Sequence, residues 1–159
     1  MTLDDLRDQL RELPWKRLSI GYVEFHFVDP DRLDEKQTGY RVGAKGLSLI
    51  GKDGAWEKDW FVFGWSDSGD PFFTDVATGR VYTAIHGQGL WEPECVATNL
   101  NEPAQIMRRP KDLSDGREYP SGLEQNPLTA REIQKFSEFA VKSNSASDAW
   151  NWEMWVKQE

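Results

Sequence analysis

The sequence predicts an α+β fold: a central antiparallel sheet of about five to six strands, with helices near both ends of the chain. Three observations lead there. Residues 60–86 read as three apolar runs separated by two turn clusters, a small antiparallel meander. Residues 3–13 and 128–142 instead carry apolar side chains at helical spacing. The length of 159 residues is that of one domain, expected to span 1–159, and a chain of this size buries roughly 70% of its unfolded surface.

The first helix has Leu3, Leu6, Leu10 and Leu13 on one stripe, with Thr2 as N-cap and Asp4, Asp5 and Asp8 at the positive end of the helix dipole. Pro14 stops it. Residues 21–28 alternate, Tyr22, Glu24, His26 and Val28 against Val23, Phe25 and Phe27, as a half-buried strand does. Asp29-Pro30-Asp31 ends that strand and opens a short helix through Lys36. Residues 38–45 fit a brief strand or a loop. Residues 46–50 and 55–64 fit a hairpin about the turn Gly51-Lys52-Asp53-Gly54.

Residues 60–65 are almost wholly aromatic or aliphatic, the composition of a strand buried on both faces. Residues 66–71 gather Ser, Asp, Gly and Pro as a turn, residues 72–76 return, and Gly79 closes the next turn. Residues 80–86 alternate, with Val81, Thr83 and Ile85 on one face and Tyr82, Ala84 and His86 on the other. After the break Gly87-Gln88-Gly89, residues 92–97 form a weak strand whose Pro93 assigns it to an edge. A helix follows over 100–108, with Pro103 in its first turn. Residues 109–127 are rich in Pro, Gly and charge, an exposed connection. Thr129 and Glu132 then open a helix with Ile133, Phe136, Phe139 and Ala140 on its stripe. A last short helix begins at Ser147 or Asp148 and carries Trp150, Met154 and Trp155.

Net charge is −8 and mean hydropathy −0.68, yet aromatics make up 13%, with eight tryptophans: a soluble domain with an aromatic core. The charge is uneven. Between Asp59 and Met107 lie seven acids (Asp59, Asp67, Asp70, Asp75, Glu92, Glu94 and Glu102) and one base, Arg80, which leaves −6 in that segment. Such a field repels nucleic acid and attracts basic proteins. No apolar run reaches the ~20 residues of a membrane span. Neither a secretory leader nor a second cysteine beside Cys95 is seen, so the expectation is a cytoplasmic protein without disulfides.

Chemistry-bearing patterns are sparse. One cysteine and two histidines, His26 and His86, supply no spaced metal cluster, and no Gly-rich phosphate loop is present; neither cofactor nor metal is expected. Ser66-Asp67-Ser68-Gly69-Asp70 has the look of a hydrolase Asp-Ser-Gly run, but no matching His and Asp motif accompanies it, and a polar turn explains it. Glu24 and His26 share a strand face, as an acid–base pair or as ordinary solvent-facing residues. A pocket joining Glu24, His26 and Asp70 would favour an enzyme.

Gly69-Asp70-Pro71, an apolar pair, Asp75, Gly79-Arg80-Val81-Tyr82, His86 and then Ala97-Thr98-Asn99-Leu100 resemble the core pattern of the SUKH superfamily, over residues 62–107. That superfamily is named for bacterial immunity proteins related to a yeast cell-wall-synthesis regulator. The resemblance implies a non-enzymatic binding domain, an immunity protein that neutralises a cognate toxin, often a nuclease. The charge pattern runs the same way: an acidic face with aromatic anchors suits a basic cleft. Asp67, Asp70, Asp75, Glu92 and Glu94 are expected to supply charge, and Trp65 and Trp91 to anchor. The expected partner is a basic protein, with neither nucleic acid nor membrane bound, and the expected state is a monomer or weak dimer. A regulatory, scaffold or small-ligand domain of the same fold is the alternative.

Overall fold

A computed structural model describes residues 1–13, 16–20, 23–51, 56–100, 113–118, 120–143, 152 and 156. Six strands form one sheet: β1 (Arg17–Ile20), β2 (Val23–Phe27), β3 (Trp60–Ser66), β4 (Pro71–Asp75), β5 (Val81–Thr83) and β6 (Glu94–Ala97). Their spatial order is their chain order and every neighbouring pair is antiparallel, so the sheet is a meander. Helix α1 (Leu3–Arg11) precedes it, and α2 (Gly122–Gln125) and α3 (Ala130–Ser143) follow. The predicted α+β fold is the one observed.

Both long helices begin where their capping residues dictate. The Asp5 N–H donates to Thr2 Oγ1 (3.1 Å) and the Thr2 N–H to Asp5 Oδ2 (2.6 Å), a reciprocal box at α1. Thr129 and Glu132 repeat it at α3. Leu6 and Leu10 of α1 and Phe136 and Ala140 of α3 are buried against the sheet.

Register sorts the sheet's side chains into two cores. Along β4, Phe73 lies opposite Val62 and Tyr82, whereas Phe72 lies opposite Gly64 and Thr83. Phe72 joins Leu18, Phe25, Phe27, Phe63, Val81, Val96 and the helices in the larger core. On the other face Phe73, Val62, Trp56 and Ala84 form a smaller core, ringed by Tyr40, Trp60, Tyr82 and Trp91. The middle of the sheet is buried on both sides, as the composition of residues 60–65 predicts.

β3 serves both cores by alternation, Trp60 and Val62 to the smaller and Phe61 and Phe63 to the larger, and a bulge interrupts it at Phe63. Val62 pairs with Phe73 and Gly64 with Phe72, so Phe63 has no partner in β4. The β2 ladder on β3 ends at Phe27 and Gly64, with one further bond from the Val28 N–H to the Phe63 carbonyl (2.8 Å). Beyond that point the buried Gln37 side chain takes a strand's place: its Nε2 donates to the Val62 carbonyl (3.0 Å) and its Oε1 accepts from the Val62 N–H (3.0 Å).

The strand count hides a difference in membership. Residues 46–50 and 55–64 do not form the expected hairpin. Ala44–Gly46 is a 3-10 turn, Lys45 adopts a left-handed backbone (φ 61°), and only isolated bridges, Val42 to Ser48 and Ile50 to Trp56, occur there. Leu47 is 65% exposed, so its alternation with Leu49 marks no buried face. The sixth strand is β1, within residues the sequence leaves unassigned. Residues 29–36 form two 3-10 turns rather than one helix. In the connection 109–127, Ser114, Gly122 and Leu123 are buried, so it is not exposed throughout. The expected stop at Pro14, the turn at 52–54, and most of the helices over 100–108 and 147–155 lie outside the described residues.

Gly64 tests the bulge. A Cβ there would lie 2.7 Å from the His26 carbonyl oxygen and 2.8 Å from Phe25 Cε1. Gly64→Ala is expected to lower unfolding free energy by about 1–3 kcal/mol, the usual cost of overpacking. An unchanged urea midpoint would contradict the close approach.

Candidate functional site

The residues singled out by sequence gather mainly at one end of the sheet, where β2 begins, β3 turns into β4, and β5 leaves toward β6. The turn is tightly built. The Ser66 N–H donates to the Asp70 carbonyl (3.0 Å), the Gly69 N–H to the Ser66 carbonyl (2.9 Å), and the Asp67 N–H to the Glu24 carbonyl of β2 (2.8 Å). Ser66 Oγ and Ser68 Oγ are 2.7 Å apart, and Ser68 Oγ donates to Asp70 Oδ2 (2.8 Å).

Asp70 ties this turn to the strand exit of β5. Its Oδ1 accepts from the His86 backbone N–H (2.9 Å) and lies 2.8 Å from His86 Nδ1. Partial burial pushes the Asp70 carboxyl up, but the His86 N–H, the His86 ring and the Ser68 hydroxyl together hold it below the ordinary carboxylate value. Tyr40 stands nearby: burial raises its phenol above the usual value, and the charge on Asp70 adds to that rise. Asp70 is therefore a clamp within the fold as well as a surface charge.

A second histidine–carboxylate pair occupies β2. Glu24, 8% exposed, places Oε1 2.6 Å from His26 Nε2 and Oε2 3.2 Å from Arg17 Nε of β1. The shared face of Glu24 and His26 is thus a direct contact. His26 stacks at 5.9 Å on Trp65, its register partner in β3, and Lys36 Nζ sits 5.3 Å from the Trp65 ring centre. Each histidine has its own carboxylate, and among the described residues no hydrogen bond joins the two pairs. The serine hydroxyls of the turn bond to each other and to Asp70, not to an imidazole. No group of three His, Cys, Asp or Glu side chains converges as metal ligands among the described residues.

The expected site residues do not all share this end. Asp67, Glu92 and Glu94 are exposed there, and among the described residues none has an ion-pair partner. Asp75 sits at the opposite end of β4, where its Oδ1 accepts from the Ala77 (2.8 Å) and Thr78 (3.3 Å) N–H groups. Arg80 is at that far end too, its carbonyl accepting from the Asp75 N–H. Trp65 and Trp91 are half-buried. Trp91 packs on Trp56 (5.1 Å) and Tyr40 (5.6 Å) in the smaller core, so much of its indole serves the fold.

Two residues that sequence did not mark are prominent here. Ile85 and Leu90 are 60% and 55% exposed. Alternation placed Ile85 beside Val81 and Thr83, but β5 ends at Thr83 and the pattern lapses with it. The adjacent Gly87 and Gly89 are the signal that could have shown this.

Comparison with protein-family models, with curated proteins and with solved structures finds no match to this chain.

Asp70→Asn is expected to cost about 1–2 kcal/mol at neutral pH through its charge-assisted hydrogen bonds. It also flattens the acid limb of the stability profile. Because the folded carboxyl titrates below its unfolded value, its stabilisation is complete above the unfolded pKa and is lost as pH falls through the folded one. Identical acid limbs for variant and wild type in urea titrations would refute the clamp.

Proposed function

We propose that this chain is a non-enzymatic protein-binding domain whose acidic sheet end grips a basic protein, and that it acts as an immunity protein against a cognate toxin, a nuclease with a cationic substrate cleft. One observation carries the binding reading. The meander sends Arg80, the single base between Asp59 and Met107, to the far end of the sheet, and leaves Asp67, Asp70, Glu92 and Glu94 together at the near end. Arg17 and Lys36 also lie at this end, Arg17 paired with Glu24 and Lys36 over Trp65, so the field of the turn itself is predominantly negative. Such a field on a rigid turn accelerates encounter with an oppositely charged partner and orients it. The immunity role and the nuclease partner rest on the resemblance of residues 62–107 to the SUKH superfamily.

The same geometry favours binding over hydrolysis. In acyl transfer an imidazole must accept the proton of the attacking hydroxyl. Here the Ser68 hydroxyl donates its hydrogen bond to Asp70 Oδ2, and the His86 ring approaches that carboxylate at Oδ1.

The test measures association with a catalytically inactivated nuclease toxin, sought among the products of neighbouring genes, across a salt series. Asp67→Lys combined with Glu92→Lys is expected to slow association about tenfold at low salt and to flatten its salt dependence. Asp59→Lys, at the other end of the sheet, is expected to change little. Unchanged affinity and salt slope in the double variant would refute the electrostatic grip. Asp70 is excluded from the reversal because it holds the turn.

A further inference from the structure

We propose that the loop 85–90 is the apolar docking element of this surface, and that its occupant is a partner surface whose apolar pocket is rimmed by lysine or arginine; this rests on the binding reading above. The loop joins β5 to β6, and each of its six residues is exposed. Both stems are fixed. On entry, Ala84 is buried in the smaller core and His86 is held by Asp70 through backbone and ring. On exit, Trp91 is wedged against Trp56 and Tyr40. Between them, left-handed Gly87 (φ 79°) and Gly89 (φ 85°) reverse the chain around Gln88, a conformation that side-chain-bearing residues rarely adopt.

The clamps therefore hold Ile85 and Leu90 on the two arms of a short projection while leaving most of each side chain in water. Single exposed apolar residues are ordinary on protein surfaces, but two on one loop anchored at both stems are held in place, and such a loop loses little freedom on binding. Charge selects the occupant. Asp67, Glu92 and Glu94 flank the loop, and neither Lys nor Arg occurs in residues 59–79 or 81–100. A second copy would bring the same carboxylates against themselves, at −8 per chain, and an anionic membrane would be repelled likewise. A cationic rim around an apolar pocket complements both features. In this arrangement Trp91 is the buttress of the loop, and Ile85 and Leu90 are the anchors.

Two labelled peptides of equal charge serve as probes in fluorescence anisotropy, one of alternating Leu and Lys and one of Lys alone. The wild-type chain is expected to prefer the Leu–Lys peptide. Ile85→Ser combined with Leu90→Ser is expected to lose about tenfold in affinity for the Leu–Lys peptide, the effect of forgoing burial of aliphatic side chains, and to bind oligolysine as before. Asp67→Lys with Glu92→Lys is expected to weaken both. Wild-type affinity of the serine variant for the Leu–Lys peptide overturns the docking role and leaves the electrostatic reading standing. Wild-type affinity of the lysine variant for both peptides instead removes that reading. Wild-type dimerisation abolished by the serine pair in sedimentation would make a second copy the occupant and overturn the proposal. Leu90→Gln alone, with its melting temperature compared to wild type, gives the same readout should the double variant not fold.

Discussion

The backbone of β3 is buried on both faces, so its N–H and C=O groups must be satisfied by protein rather than by water. β4 supplies one side over the strand's length, but β2 supplies the other only near its carboxyl end. Gln37 closes the gap at Val62, with a side-chain amide that offers a donor and an acceptor just as a strand residue would. A buried backbone group left unpaired costs about 1–3 kcal/mol, so the position of Gln37 is strongly determined. The segment between β2 and β3 consequently folds back across the sheet. It carries Trp56 onto Phe73 and Tyr40 onto Trp56, and these rings build the smaller core. That core holds Trp91, and Trp91 holds one stem of the loop 85–90. An amide buried near the start of β3 thus reaches, through packed aromatics, to the proposed docking end.

At that end structure and charge are separate duties given to different carboxylates. Glu24 and Asp70 are engaged, the first with Arg17 and His26, the second with His86 and Ser68. Asp67, Glu92 and Glu94 face water. The engaged pair shapes the turn, and the exposed three supply most of its field. The same division holds for the apolar residues: Trp91 packs inward while Ile85 and Leu90 project. A surface made this way is preorganised, which favours fast and oriented encounter over adaptive fit.

Much of this was legible in the chain. Thr2 and Thr129 carry capping chemistry that depends on a few adjacent residues, so both helix starts could be read directly. The runs 60–65, 72–76 and 80–86 are punctuated by turns too distinctive to mistake, and Pro93 placed β6 at an edge. The unread parts depend on distant partners. β1 has four residues, too few for a period of two to stand out, and it exists because β2 offers an edge. Residues 46–50 alternate as a strand does, but Trp56 packs into the smaller core and meets them only through one isolated bridge, at Ile50. Ile85 continued an alternation whose strand had already ended. At the candidate site, the concentration of carboxylates was visible in composition. The separation of Asp75 from the others follows from the strand over 72–76, which puts it at the end opposite Asp70; what composition could not show is which of the remaining carboxylates are engaged within the fold.

The most direct test of a one-ended acidic grip is a carboxyl footprint. The chain is labelled with a carbodiimide and an amine, free and saturated with the Leu–Lys peptide, and each modified residue is quantified by mass spectrometry. The account predicts that Asp67, Glu92 and Glu94 become protected while Asp59 and Asp75 label as in the free chain. Equal protection at both ends of the sheet, or none at Asp67, Glu92 and Glu94, would contradict it.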